Sequence, residues 1–201
     1  MFSVSHLQKS FHKEPLFKPL SFHAEPQTIS LITGPNGVGK TTLLKCLSGH
    51  LQFEQGSVHF FENSKPQLKR ECGIYLSQEN SFFPQLTLQQ NIMFFKNFLK
   101  SKEDIQALAS ELKIAPWMDK KFQECSTGIK RRLGILRSLL SNPQVLLLDE
   151  PFSSMDSDFC EDLGSFIYNK TLEKKLITFI TSNQKLPNTL QPHYFIEVQS
   201  C

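Results

Sequence analysis

The stretch Gly34-Pro35-Asn36-Gly37-Val38-Gly39-Lys40-Thr41 fits G-x-x-x-x-G-K-[ST], the pattern of a phosphate-cradling loop. An apolar, β-prone run, Thr28-Ile29-Ser30-Leu31-Ile32-Thr33, leads into it, and Thr42-Leu43-Leu44-Lys45-Cys46-Leu47 continues as a helix. Strand, glycine-rich turn and helix together form the context that the motif requires. The glycines let the backbone curl so that several N–H groups converge on one point. The new helix adds the positive end of its dipole. Gly34, Pro35, Asn36, Gly37, Val38, Gly39 and Thr42 are therefore candidates for the cradle. Lys40 is the candidate for the β- and γ-phosphates of ATP, and the Thr41 hydroxyl for Mg²⁺.

About a hundred residues further on, Val145-Leu146-Leu147-Leu148 runs straight into Asp149-Glu150. An unbroken apolar run fits a strand buried on both faces, with the two acids at its C-terminal end, where α/β proteins place their ligand sites. Asp149 suits an acid that holds Mg²⁺, directly or through water. Glu150 suits the base that polarises an attacking water. Neighbouring strand residues point to opposite faces, so Glu150 must lie where the strand ends and the chain turns. Pro151 follows at once.

The remaining pattern extends this α/β core in both directions. Strands are expected over 1–7, around Phe22, over 56–61, over 72–76, over 176–181 and over 194–198. The strand at 72–76 delivers Gln78. Gly49 fits the end of the loop's helix. From 81 to 140 the periodicity turns helical. Thr87 caps a helix over 88–99, a second helix covers 103–112, Pro116 breaks the chain, and a third starts near Ser126. A further helix covers 158–170. The expected fold is a mostly parallel sheet with antiparallel strands at the N-terminal side and an inserted helical subdomain over 81–140. All of it falls within one domain over 1–201. The first inserted helix is rich in phenylalanine: Phe82, Phe83, Phe94, Phe95 and Phe98 either fill the insertion's own core or form a surface docking patch.

Composition narrows the function classes. The net charge of +3 is too weak to argue for nucleic acid. Cys46, Cys72, Cys125, Cys160 and Cys201 are odd in number and lack C-x-x-C spacing, as for reduced thiols in a cytosol-like compartment. No apolar run approaches the ~20 residues needed to span a bilayer. The start of the chain lacks the basic-then-apolar order of a signal peptide. A membrane role is expected only through a partner chain. An aromatic ahead of the loop can stack on adenine, and Phe11 and Phe17 are the candidates.

The order of these motifs resembles the ATP-binding subunit of ABC transporters over nearly the whole chain. The phosphate loop corresponds to its Walker A motif, Phe11 to its adenine-stacking position and Gln78 to the Q-loop that senses Mg²⁺ and the membrane partner. Residues 145–150 correspond to Walker B with the catalytic glutamate, Glu150. Ser153-Ser154-Met155-Asp156 fits the D-loop. Cys125-Ser126-Thr127-Gly128-Ile129-Lys130-Arg131-Arg132 falls at the family signature, usually L-S-G-G-Q followed by basic residues. Ser126 is a good N-cap, and Gly128 exposes backbone N–H groups at a helix start. The basic run is read as a solvated helix face. The resemblance implies two ATP sandwiched in a head-to-tail dimer, with Ser126 and Gly128 acting on the nucleotide of the other subunit. It implies integral-membrane permease subunits as partners, a peripheral place on the cytoplasmic face of the inner membrane and no insertion into the bilayer. Thr41, Gln78 and Asp149 would hold Mg²⁺.

Three departures from the pattern stand out. Thr127 and Ile129 replace the usual Gly and Gln, and Cys125 replaces an apolar residue that it can mimic. Asn183 stands where the family has a histidine that contacts the γ-phosphate. An amide can donate there, but it has a shorter reach and cannot become cationic. Hydrolysis is expected to be slowed, with Asn183 as a third catalytic candidate beside Glu150 and Gln78. Two readings stay open. One is an ATPase that drives transport; the other is an ATP-binding regulatory switch with little turnover. Residues 75–76, 86–87, 91–92, 148–152 and 182–184 resemble the small ATPase of the bacterial haem exporter of cytochrome c biogenesis. The same stretches also suit other small export ATPases.

Overall fold

The computed structural model describes residues 1–62, 65–66, 72–75, 82–153 and 155–201. Gln78 and Ser154, both singled out by their sequence context, lie outside the described residues.

The chain opens with β1 (Phe2–Gln8), followed by a two-residue-armed hairpin, β2 (Ser10–Phe11) and β3 (Glu14–Pro15). β4 (Leu20–Ala24) and β5 (Thr28–Thr33) lead to helix α1 (Lys40–Leu47). Gly49 lies just beyond that helix at φ 73°, as a left-handed helix stop should. Then come β6 (Gln55–Glu62), β7 (Lys65–Pro66) and β8 (Cys72–Tyr75). Helices α2 (Leu88–Leu99), α3 (Ile105–Glu111) and α4 (Thr127–Leu139) follow, with 3-10 turns at Ala115–Trp117, where Pro116 interrupts the chain, and at Phe122–Glu124. The C-terminal part alternates β9 (Val145–Asp149), α5 (Ser157–Glu173), β10 (Ile177–Thr181) and β11 (Tyr194–Glu197).

Two sheets result. β4, β1, β6 and β7 form an antiparallel sheet, and β11, β5, β10, β9 and β8 form a parallel one, in those orders. Each expected strand is present as far as its residues are described, Leu76 lying outside them, and the β2–β3 hairpin and β7 are additions that no hydrophobic periodicity announced. β9 shows why its sequence is continuously apolar. Leu146 and Leu148 face a core shared with α2–α5, while Val145 and Leu147 face a second core shared with α1 and the antiparallel sheet. Both faces are buried, so the usual polar alternation disappears.

Local sequence sets the helix starts. Thr87 and Gln90 form a reciprocal capping box, with Gln90 N donating to Thr87 Oγ1 (3.1 Å) and Thr87 N donating to Gln90 Oε1 (2.9 Å). Asp104 Oδ1 accepts from Gln106 N and Ala107 N, which starts α3 at Ile105, two residues later than the periodicity suggested. Asp156 caps α5 through Phe159 N (2.9 Å). Arg132, expected on a solvated helix face, is instead almost wholly buried where α3, α4 and α5 meet, because backbone carbonyls there accept from it. Its guanidinium donates to the carbonyls of Leu112 (2.6 Å) and Phe159 (3.0 Å) and lies over the Phe159 ring. The phenylalanines of 82–98 divide between the two expected roles. Phe82 and Phe95 pack against the core, while Phe83, Phe94 and Phe98 are exposed, Phe98 at 75%.

Candidate nucleotide-binding site

The parallel register sets the site. Ile32, Thr181 and Asp149 occupy one row across β5, β10 and β9, so the loops after these three strands leave from the same edge. Those loops carry the phosphate loop, Asn183 and Glu150. Asn36, Gly37, Gly39, Lys40, Thr41, Thr42, Glu150 and Asn183 line a cavity of about 460 Å³ at that edge.

Two glycines of the loop are fixed by close approach. Gly39 caps α1 at φ 105°, and a Cβ there would lie 2.6 Å from Leu16 Cδ2. Gly34, at φ 147°, would place a Cβ 2.5 Å from the Val198 carbonyl oxygen, so the loop packs directly on the end of the C-terminal strand. Val38 turns its side chain into the core and contributes only backbone, its N–H donating to Pro35 O (3.3 Å). Lys40 is buried, and its ammonium donates to the carbonyls of Gly34 (2.8 Å) and Pro35 (3.0 Å), pinning the curl of the loop. Burial lowers its pKa, while the charges of Glu150 and Asp149 pull the other way.

Behind Lys40 the two strand-end residues meet. Asp149 is only 2% exposed. Its carboxylate lies 2.9 and 3.1 Å from Thr41 Oγ1 and accepts from Thr181 Oγ1 at 2.8 Å. A buried carboxylate beside a hydroxyl is a hard oxygen pair. Among the described residues no cluster of three or more His, Cys, Asp or Glu could enclose a metal. Such a pair fits Mg²⁺, which keeps waters and phosphate oxygens in its shell.

Glu150 leaves the strand at φ 46°, the left-handed region that a non-glycine residue adopts at a cost of about 1–3 kcal/mol. Its N–H donates to both Thr181 Oγ1 (2.9 Å) and Thr181 O (3.2 Å), which holds the turn. The expectation that the strand ends between the two acids holds. Asp149 faces inward behind the loop, and Glu150 swings to the cavity wall.

Asn183 is exposed at the cavity mouth. Its single amide nitrogen donates to Asn36 Oδ1 (2.6 Å) and to Glu150 Oε1 (2.5 Å). Sequence reasoning had aimed this residue at the γ-phosphate alone and missed that it ties the phosphate loop to Glu150. It also missed Thr181, whose hydroxyl joins Asp149 to the Glu150 backbone. The only signal for Thr181 was its position two residues before Asn183 at a strand end.

Phe17 is fully buried beside Gly39, which removes it from the two stacking candidates. Phe11 remains exposed on the β2–β3 hairpin, outside the residues that line the cavity. Ser126 caps α4 by accepting from Ile129 N (3.4 Å) and is itself exposed; neither it nor Gly128 lines the cavity. Cys125 and Ile129, two of the departures from the signature, are buried as ordinary core side chains. Arg131 donates to Ser153 Oγ (2.8 Å), linking the signature helix to the loop after Glu150.

Residues 17–153 match the ABC transporter family. The chain belongs to that family. It is an ATP-binding subunit that hydrolyses ATP for transport, and the parallel sheet with its antiparallel neighbour is the ABC ATPase fold. This ABC ATPase is 36% identical over 188 residues to the cytochrome c biogenesis ATP-binding export protein CcmA of Wolbachia pipientis, covering 91% of this chain and 89% of that one. It is 32% identical over 162 residues to the Fe(3+) ions import ATP-binding protein FbpC of Fusobacterium nucleatum, covering 77% of this chain but 43% of the importer subunit. Among solved structures, a dimeric bacterial ABC transporter cassette superposes with a TM-score of 0.80 at 20% identity, over 99% of this chain and 94% of that one. No helix among the described residues is long and apolar enough to cross a membrane.

Proposed function

We propose that this ABC ATPase pairs with a second copy, or with a related subunit, around two ATP, and that closing and reopening of the pair drives a separate export permease. The observation that supports this best is that one cavity is lined by the bonded set Asn36–Asn183–Glu150 and by Thr41, whose hydroxyl is backed by buried Asp149 and Thr181. Thr41 and Asp149 would hold Mg²⁺, which neutralises phosphate charge when bound. The bonded set holds a carboxylate at the mouth, where Glu150 accepts a proton from water. Lys40 and the N–H groups of the loop fix the phosphates. Ser126, exposed at the tip of α4, and half-buried Gly128 beside it, both away from the cavity, suit a contact with the nucleotide of the partner copy. Gln78 is assigned to the same chemistry from its sequence position.

Residues 81–140 serve as the helical subdomain, and the exposed face of Phe83, Phe94 and Phe98 is where the permease docks. The likeness to CcmA in length and identity favours haem export for cytochrome c maturation over other small exporters. The engine works from the cytoplasmic face of the inner membrane.

The bond between Asn183 and Glu150 favours an enzyme that turns over above a passive switch, because it orients the base. Steady-state ATPase of wild type against Glu150→Gln tests the choice. The engine loses at least a hundredfold in kcat and is trapped as an ATP-bound dimer on size exclusion. Equal rates for the two proteins would overturn it. For the cargo, cells lacking this chain should lose covalently haem-bearing cytochrome c and regain it from wild type but not from Glu150→Gln. Normal cytochrome c in the deletion strain would remove the haem reading and leave the ATPase reading intact.

A further inference from the structure

The β2–β3 hairpin is a weak element placed at a demanding position. Each arm has two residues, too few for independent stability. The turn residues His12 (φ 52°) and Lys13 (φ 71°) both lie in the left-handed region, where a two-residue hairpin turn prefers Asn-Gly. Something outside the hairpin must hold it. One support is Leu16, packed on Gly39 at the start of α1, with Leu16 N donating to Lys9 O (2.8 Å) to close the base. The other support is Glu54, from the segment after α1. Its Oε1 pairs with Lys9 Nζ at 2.6 Å and its Oε2 accepts from Ser10 N at 2.6 Å, while Glu54 N donates to Gln8 O (3.2 Å). The Lys9 bond, then the Ser10 N–H, hold the Glu54 carboxyl below its ordinary range.

Lys9 does more than anchor the hairpin. It is buried, and its ammonium stands 4.9 Å from the centroid of Phe11. One face of that ring is therefore taken by a cation, a favourable arrangement for an aromatic quadrupole. The ring is still 46% exposed. A hairpin whose base is seated against Gly39 of the phosphate loop thus presents an exposed aromatic ring with one face held by a clamped lysine.

We propose that Glu54 and Lys9 are positioning residues for Phe11, holding its ring so that a purine base stacks on it while the phosphates occupy the loop. The inference rests on the reading of Phe11 as the base-stacking residue and extends it to what sets nucleobase affinity in this chain. Neither Glu54 nor Lys9 lines the phosphate cavity, so their effect should appear only for ligands that carry a base.

The test is equilibrium binding of MgADP and of Mg-pyrophosphate to the full chain by calorimetry, which involves no turnover. Phe11→Ala should weaken ADP roughly five- to a hundredfold, the span seen for loss of one base-stacking aromatic, and leave pyrophosphate within about twofold. Glu54→Gln and Lys9→Met should each weaken ADP about three- to tenfold, a smaller loss than removal of the ring itself, with pyrophosphate again unchanged. Lys9→Arg keeps charge and partner and should retain the ADP preference. If Phe11→Ala lowers the preference but neither Glu54→Gln nor Lys9→Met does, the clamp has no positioning role. If Phe11→Ala leaves the preference intact, the stacking reading fails and takes this inference with it. Loss of pyrophosphate binding would mark a misfolded variant, in which case the other clamp variant decides.

Discussion

Thr181→Val removes one oxygen atom from the centre of the site and almost nothing else. Thr181 is fully buried, and its hydroxyl makes two bonds. It donates to Asp149 Oδ1 at 2.8 Å and accepts from Glu150 N at 2.9 Å. The bond to a carboxylate is worth about 1.5–3 kcal/mol and the neutral one about 0.5–1.5 kcal/mol. Glu150 N keeps a second acceptor, Thr181 O at 3.2 Å, so the neutral loss sits at the low end. The added methyl group returns about 0.8 kcal/mol. The expected destabilisation is therefore about 2 kcal/mol, or a fall in Tm of about 4–8 °C for a chain of this size. Urea unfolding without nucleotide or Mg²⁺ measures it, because Asp149 then has only Thr41 Oγ1 as its other bonded partner among those described here. A cycle with Asp149→Asn isolates the pair, and the coupling should exceed about 1 kcal/mol. A Thr181→Val protein within about 0.5 kcal/mol of wild type, or a cycle with no coupling, would refute the assignment of this hydroxyl as the tie between the two acids.

Three further outcomes are expected. Asn183→Ala frees Glu150 and should lower kcat about ten- to a hundredfold with the KM for ATP little changed, Asn36→Ala should cost less, and Asn183→His should raise kcat; steady-state ATPase measures all three. Gly39→Ala forces a side chain to φ 105° and onto Leu16, which should cost about 1–3 kcal/mol in urea unfolding and weaken MgADP binding as the loop shifts. Of Cys46, Cys125, Cys160 and Cys201, exposed Cys201 should react with iodoacetamide first, whereas Cys46, fully buried with its thiol pushed up to about 11, should label only on unfolding; peptide mass spectrometry reads the order.

Much of this protein is legible along the chain. The phosphate loop, the strand ending in Asp149-Glu150 and the caps Thr87 and Ser126 follow from short-range rules. Backbone conformation, side-chain alternation and helix capping each depend on a few neighbouring residues. The register Ile32–Thr181–Asp149, which sets the site, brings together positions 32, 149 and 181, and no local pattern contains it. The same holds for the Asn183 amide, whose partners are Asn36 and Glu150, and for the Glu54 carboxylate that grips Lys9 and Ser10. Sequence could state that Asn183 is neutral and short, but not which oxygens it meets. Sequence names both Phe11 and Phe17 as stacking candidates and places Phe11 at the stacking position; packing buries Phe17 against Gly39 and leaves Phe11 exposed. Residue chemistry and local periodicity therefore determined the elements and the kinds of group available. The tertiary structure alone decided which groups touch, because a hydrogen bond or a ring contact depends on tenths of an ångström set by strands and helices remote in the chain.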